Sequence, residues 1–417
     1  MEDAFCRNRR CRGCGAFDRV DVLPRTNALN RPGGYSFLCE LVISAPYLSL
    51  RQELLSNPRT WVVTGVAGFI GSNLLEDLLA LGQRVIGIDN YSTGHRANLD
   101  DALSKPLENG AQFRMVEGDI RDLDTCRAAC DGADYVLHHA ALGSVPWSMD
   151  DPLRSNSVNV DGFVNMLVAA KDARVHRFVY ASSSAVYGDT AVYPQTEEKT
   201  GRPLSPYAAS KATNETYATA FQMSYGVETV GLRYFNVFGR RQDPAGAYAA
   251  VIPRWIAALL RGERCRIFGD GETTRDFCYI SNVIQANILA ATAPSSATCE
   301  AYNVACAESV SLNALFNMIR DRLAVTDSRF ENALPQYDDF RPGDIRYSCA
   351  SIAKAQRMLA FAPTHDVAQG LAEALSWYVR RAPTLQVQTS HPGRNQAPAM
   401  PVTLPHHAQV PLSLTAP

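Results

Sequence analysis

Several things are missing from this 417-residue chain, and each absence removes a class of protein. There is no apolar run long enough to cross a bilayer. The most apolar early stretch, YSFLCELVISAPYLSL, is too short and carries Glu40, so neither a membrane helix nor a secretory leader is expected. No charge of one sign dominates: 40 Lys and Arg stand against 42 Asp and Glu, which leaves no electrostatic footprint for nucleic acid or for an anionic membrane surface. The 11 cysteines are an odd number without framework spacing, the pattern of reduced thiols in a cytoplasmic protein. Cys11 and Cys14 form a lone CxxC. Cys6 and Cys39 do not supply the second pair that a zinc site requires, so no metal is expected.

Apolar periodicity is lacking at both ends. Residues 1–45 mix Arg, Cys, Gly and Pro, and residues 382–417 are rich in Pro, Gln, Thr and His. Neither segment can bury enough apolar surface to offset the entropy of ordering, so they read as a flexible N-terminal extension and a disordered Pro-rich tail.

Between them, short β-branched runs alternate with helical patterns. TWVVTG, RVIGID, QFRMVEGD, ADYVLHHAA and HRFVYAS read as strands; FIGSNLLEDLLALG, the stretch after Asp122 and SNSVNVDGFVNMLVAAKDA read as helices. Strands this apolar imply a parallel sheet covered on both faces, an α/β, doubly wound architecture of the Rossmann type over residues 46–235. Beyond Asn236 the alternation weakens, which suggests a smaller α/β domain over 236–381 that closes over a ligand. Ligands on such sheets bind beyond the carboxyl ends of the strands.

The turn after the first strand, TGVAGFIG, spaces Gly65, Gly68 and Gly71 as GxxGxxG between strand and helix. Glycines there allow a tight turn and close approach of backbone to a pyrophosphate at the helix N-terminus. Asp89 ends the next strand, where a carboxylate accepts from adenosine ribose hydroxyls and repels a 2′-phosphate, so NAD is expected rather than NADP. Asp119 and Ala140–Ala141 follow later strands and fall on the same path. Further along, VYASSSAVYGD supplies a serine run, and SPYAASK places Tyr207 and Lys211 on one helical face. A tyrosine near its ordinary pKa of about 10 is a poor base at neutral pH, and a nearby ammonium together with an oxidised nicotinamide is expected to lower it.

These motifs, with RYFNVFG and RDFCYI, resemble the extended short-chain dehydrogenase/reductase family of NAD-dependent sugar-nucleotide epimerases and dehydratases. The wording of AALGSVPWS, RYFNVFGRRQDPAGAYAAVIP, GDGETTRDFCYI and DFRPGDIRYS is similar to bacterial UDP-N-acetylglucosamine 4-epimerases of surface-polysaccharide synthesis. The resemblance covers roughly Tyr47 to Tyr378. It implies that Ser183 and Tyr207 contact the sugar 4-hydroxyl, while Lys211 holds the nicotinamide ribose. Further implied NAD contacts are Phe69, Ile70, Asn90, Thr93, Gly94, Ile120, Asn159 and Tyr234. The implied UDP-sugar contacts are Ser144, Ser184, Asn236, Ala250, Arg275, Arg341, Asp344 and Ser348. A homodimer is the family expectation. Relatives often have arginine at the position of Trp147, which puts the substrate range in question.

The resembling 4,6-dehydratases have an Asp–Glu pair after the serine or threonine, and the decarboxylases have a glutamate two residues after it. Here Ser184 and Ala185 stand there, and neither can carry an elimination. C4 oxidation followed by hydride return to the other face is the remaining exit, which makes epimerisation the expected reaction. The small Ser348, at a position where epimerases limited to UDP-glucose and UDP-galactose have tyrosine, points to UDP-N-acetylated hexoses, the uronate forms included. A UDP-glucose 4-epimerase is the alternative. From another class, a non-catalytic NAD- or nucleotide-sugar-sensing protein on the same fold would be expected to have lost Tyr207 or Lys211.

Overall fold

The computed structural model describes residues 44–107, 109–245, 249–341 and 345–388, with side chains up to residue 381. Cys6, Cys11, Cys14 and Cys39, Asp344, nearly all of the N-terminal extension and the tail from residue 389 lie outside the described residues.

The five strands read from sequence occur in that order, β1 (Thr60–Thr64), β2 (Arg84–Asp89), β3 (Gln112–Glu117), β4 (Tyr135–His138) and β5 (Arg177–Ser183), and β6 (Thr229–Tyr234), not read there, follows them. A seventh, Glu300–Val304, pairs parallel with β6, and the spatial order is Glu300–Val304, β6, β5, β4, β1, β2, β3, every pair parallel. Order reverses at β1, whose Thr64 pairs with Ile88 on one side and His138 on the other. This is the switch point of a doubly wound sheet, where a crevice opens at the strand ends.

Because neighbouring side chains on a strand face opposite ways, a sheet buried on both sides needs apolar residues at every position. Val63, Leu137, Val179 and Val230 point into the core under the helix Phe69–Ala80, whose Leu74, Leu75 and Leu78 are fully buried. Val62, Val136, Phe178 and Tyr180 point the other way, onto Phe163, Met166 and Leu167 of the helix Gly162–Ala173.

Three readings are refined. The segment read as one long helix before β5 is built as Pro152–Asn156, a π-helical turn Ser157–Asp161 and Gly162–Ala173. The division at residue 235 is not a spatial boundary of the sheet, since Glu300–Val304 returns to it from the later part of the chain. Finally, the helix Val367–Gln388 takes in the first seven residues of the segment assigned to the disordered tail.

Candidate active site

A cleft of about 780 Å³ opens at the carboxyl ends of β1, β2, β4 and β5 and runs from the glycine turn to Ser348. At one end Gly65 adopts φ +68°, and a Cβ there would lie 2.9 Å from the Ala140 nitrogen, so the close approach of this turn to the β4 exit requires glycine. A Cβ on Gly71 would lie 2.1 Å from the Gly65 carbonyl oxygen. Gly68 caps the helix Phe69–Ala80 without a side-chain hydrogen bond. The first-turn N–H groups of Phe69, Ile70 and Gly71 therefore face the cleft with the positive end of the helix dipole. An anion is what this end of the site suits.

Asp89 is buried, and its two oxygens accept from Ala67 N at 2.9 Å and Tyr91 N at 2.8 Å. Burial raises its pKa, and the backbone N–H bonds from Tyr91, Ala67 and Asn90 oppose that. Two carboxylate oxygens offer about four lone-pair sites, so the carboxylate can fix the turn and still accept from a ribose hydroxyl. Asp119 takes Arg121 and Asn90 side chains, and the Arg121 guanidinium heads the causes that bring it down to about 2. Asn90, Thr93, Ile120, Ala140, Ala141 and Tyr234 also line the cleft. Gly94 supports it from behind, where a Cβ would meet Ala67 and Asp89 Oδ2. This donor set, the uncapped helix start and the buried carboxylate fit a dinucleotide.

Asn159 does not face the cleft. It is buried in the π-helical turn, accepts from Leu142 N at 2.8 Å and donates to Leu142 O and Ser210 Oγ. It therefore holds the 140–143 segment against the Tyr207 helix. Ser144 likewise caps the short helix Val145–Asp150 through Trp147 N. Trp147 is partly exposed, with the Arg154 guanidinium 5.6 Å from its ring centroid.

In the middle of the cleft the three serines separate. Ser182 Oγ donates to Glu215 Oε1 at 2.6 Å, and Glu215 is tied to Arg233. Ser183 Oγ accepts from Ala185 N at 3.1 Å, and its hydroxyl neighbours the Tyr207 side chain in the cleft. Ser184 lines the cleft beside them. The helix Pro206–Tyr225, capped by Ser205, delivers Tyr207 and Lys211 one turn apart. Ser148 Oγ accepts from Tyr207 N at 3.0 Å and fixes the start of that helix. Lys211 is 2% exposed; its Nζ donates to Ala181 O at 2.8 Å and sits 5.9 Å from the Tyr207 ring centroid. Burial brings this ammonium down to about 8.

The lowered tyrosine pKa expected from sequence depends on the positive charge of bound NAD. In the chain without cofactor, burial is the larger influence and raises the Tyr207 pKa, with the neighbouring Ser183 hydroxyl pulling against it. In the chain by itself Tyr207 is a proton donor, and a base only when further positive charge enters the cleft.

Sequence reasoning missed the supports behind these residues. Thr64 Oγ1 accepts from His139 N and Ala140 N, both at 3.0 Å, and lies 3.0 Å from His138 Nδ1. His139 stacks on Tyr234 and meets Asn287, which also donates to the Tyr234 hydroxyl; burial takes His139 down to about 3. The HHAA run was the available signal.

At the far end the cleft adjoins a second one of about 370 Å³, the two sharing Asn236, Val237 and Arg275. Ala250 and Arg341 line this second cleft with Asn236 and Arg275, so four of the implied UDP-sugar contacts come together there; Ser184 and Ser348 line the first cleft, and Ser144 lines neither. Arg275 Nη1 donates to Thr274 O and Ile345 O. The Arg341 guanidinium stands 3.7 Å from the Phe268 ring centroid. Arg254, not anticipated from sequence, faces the same space, and its pKa is lowered by burial and then by Arg341 and Arg266. Mutual repulsion among guanidiniums is relieved by a polyanion. Among the described residues no cluster of three or more His, Cys, Asp or Glu could hold a metal ion, and no helix is long and apolar enough to cross a membrane.

The family model described as "NAD dependent epimerase/dehydratase family" matches residues 61–305. The chain is 35% identical to a UDP-glucose 4-epimerase of Mycolicibacterium smegmatis, over 76% of this chain and 97% of that protein. It is 31% identical to UDP-glucuronate 4-epimerase 4 of Arabidopsis thaliana, over 78% and 76%. Among solved structures it superposes with TM-score 0.71 and 39% identity on a UDP-N-acetylglucosamine 4-epimerase of Methanobrevibacter ruminantium, solved with UDP-N-acetylmuramic acid. That match covers 78% of this chain and 99% of that one.

Proposed function

The chain belongs to the NAD-dependent epimerase/dehydratase family, and from that premise we propose that it inverts C4 of a UDP-N-acetylhexosamine. The carrying observation is the Ser183–Tyr207 pair in a cleft where Ser184 and Ala185, both lining it, provide no carboxylate for elimination.

When bound, NAD supplies the couple that takes the C4 hydrogen as hydride and returns it. The chain's own residues do the rest. The Tyr207 hydroxyl exchanges a proton with the sugar 4-oxygen, and Ser183 orients that oxygen. Lys211, fixed by Ala181 O, presents its remaining donors to the nicotinamide ribose and adds positive charge beside Tyr207. The turn at Gly65–Gly71 takes the pyrophosphate, with Asp89 on the adenosine ribose. Asn236, Arg275, Arg341 and Arg254 hold the UDP, whose anchored diphosphate leaves the hexose free to turn over after oxidation.

Ser348, buried at the hexose end of the cleft, supports the acetylated sugar because it leaves room for a 2-acetamido group. The likeness to the Methanobrevibacter enzyme supports the same reading, and the relative from Mycolicibacterium keeps UDP-glucose as the second. The proposal includes a cytoplasmic homodimer acting in surface-polysaccharide synthesis. Incubation with UDP-N-acetylglucosamine, UDP-N-acetylglucosaminuronate and UDP-glucose, with products identified by NMR, tests it. Turnover of UDP-glucose alone would replace the assignment, and no turnover of any of the three would favour a sensing protein.

A further inference from the structure

Gln195 takes no part in the chemistry described above, yet it lines the same cleft as Ser183, Tyr207 and Ser348. Its residue is 7% exposed, and its Oε1 is buried without a hydrogen-bond partner among the described residues. A buried amide oxygen left unpaired has given up its bonds to water without replacement, so such a group invites a ligand. The backbone explains why the side chain is held there. Gln195 forms an isolated parallel bridge with Ala350: its N donates to Cys349 O at 2.9 Å, and its O accepts from Ser351 N at 2.9 Å. Asn303 Nδ2 donates to the same carbonyl oxygen at 3.0 Å. The main chain of Gln195 is thus tied to the segment that carries Ser348, and the amide is delivered to the hexose end of the cleft.

We infer that Gln195 is a specificity-determining residue whose side-chain amide pairs with the 2-acetamido group of the sugar. The inference rests on the UDP-N-acetylhexosamine reading and deepens it. A trans acetamido group points its N–H and its carbonyl opposite ways, so the carboxamide meets one of them: its Nε2–H group can donate to the acetyl carbonyl. A 2-hydroxyl has no atom that reaches so far from the ring. Ser348 makes the space for the acetyl group, and Gln195 recognises its polarity.

The test compares wild type with Gln195→Leu, which keeps the approximate size and removes both ends of the amide. Because the structural bonds of Gln195 are made by its main chain, thermal stability and affinity for UDP alone should stay near wild type. The ratio of kcat/KM for UDP-N-acetylglucosamine over UDP-glucose should fall roughly tenfold, the scale of one lost buried hydrogen bond with its partner left unpaired. The loss should fall mainly on the acetylated sugar. An unchanged ratio, or equal losses on both sugars, overturns the inference. Should Gln195→Leu fail to fold, Gln195→Glu is read in the same assay, since a carboxylate cannot donate and the ratio should again fall. Failure of the underlying reading shows separately, as absence of UDP-N-acetylglucosamine turnover in the wild type.

Discussion

Replacing Lys211 by Met should separate what the ammonium contributes to function from what it costs the fold. The side chain is buried, and its pKa falls to about 8 in the folded protein while an unfolded lysine stays near 10.4. A lysine depressed on folding means that the unfolded state binds more protons between these two values. Stability therefore rises with pH across that window and carries the full charging cost below it. The cost is roughly 3 kcal/mol near pH 7 and shrinks to about 1.5 kcal/mol near pH 9.5. Met has no charge to bury, though it leaves Ala181 O without its donor, a loss of about 1–3 kcal/mol. Near pH 7 the variant should be as stable as wild type or slightly more so, with activity lost by roughly 10²-fold or more. The decisive quantity is the difference between the two proteins. Measured by urea unfolding of NAD-free samples, wild type should gain about 2 kcal/mol on the variant between pH 7 and 9.5. A gap that stays constant with pH would show that Lys211 is not a buried charge near its transition, and the argument would fail.

Tyr207→Phe keeps the ring and removes the hydroxyl that meets Ser183, so turnover should drop by roughly 10²-fold or more while NAD and UDP binding persist; near-normal turnover rules out the role. Gly65→Ala forces a Cβ to 2.9 Å from the Ala140 nitrogen at φ +68°, which should destabilise the fold by at least about 1–2 kcal/mol and weaken NAD binding, measured by thermal unfolding and cofactor titration. Unaltered binding would remove the turn from the cofactor site. Ser348→Tyr should overfill the hexose end and cut kcat/KM for the acetylated sugar while sparing UDP-glucose; an unmoved substrate ratio would show that Ser348 does not gate the pocket.

Local chemistry was legible in the sequence. The glycine turn, Asp89 and the Tyr207–Lys211 spacing each declare themselves within a few residues, because strand, turn and first helical turn are one continuous piece of chain. Features built from distant segments were not legible. Glu300–Val304 is five residues without any sign of the sheet it joins, and its partner β6 lies some seventy positions earlier. Arg254 reads as one more helix arginine until Arg266 and Arg341 are brought beside it. Sequence brings Asn159 to the neighbourhood of the site but does not show which way its amide turns once Leu142 and Ser210 are packed against it. The rise that burial gives the Tyr207 pKa was hidden for a related reason, since burial is a property of the whole fold.

The return of Glu300–Val304 to the sheet also governs how the protein can be made and cut. Until residue 304 has been synthesised, β6 is a fully buried strand type with one ladder of amides and carbonyls unpaired. Such an edge is a template for pairing with another chain. A fragment ending near residue 235 would retain the glycine turn, Ser183, Tyr207 and Lys211, and would still present that open edge to its neighbours. The expectation for it is aggregation rather than a soluble cofactor-binding half, and on the ribosome the nascent chain must keep the edge covered for about seventy further residues before the strand that closes it arrives.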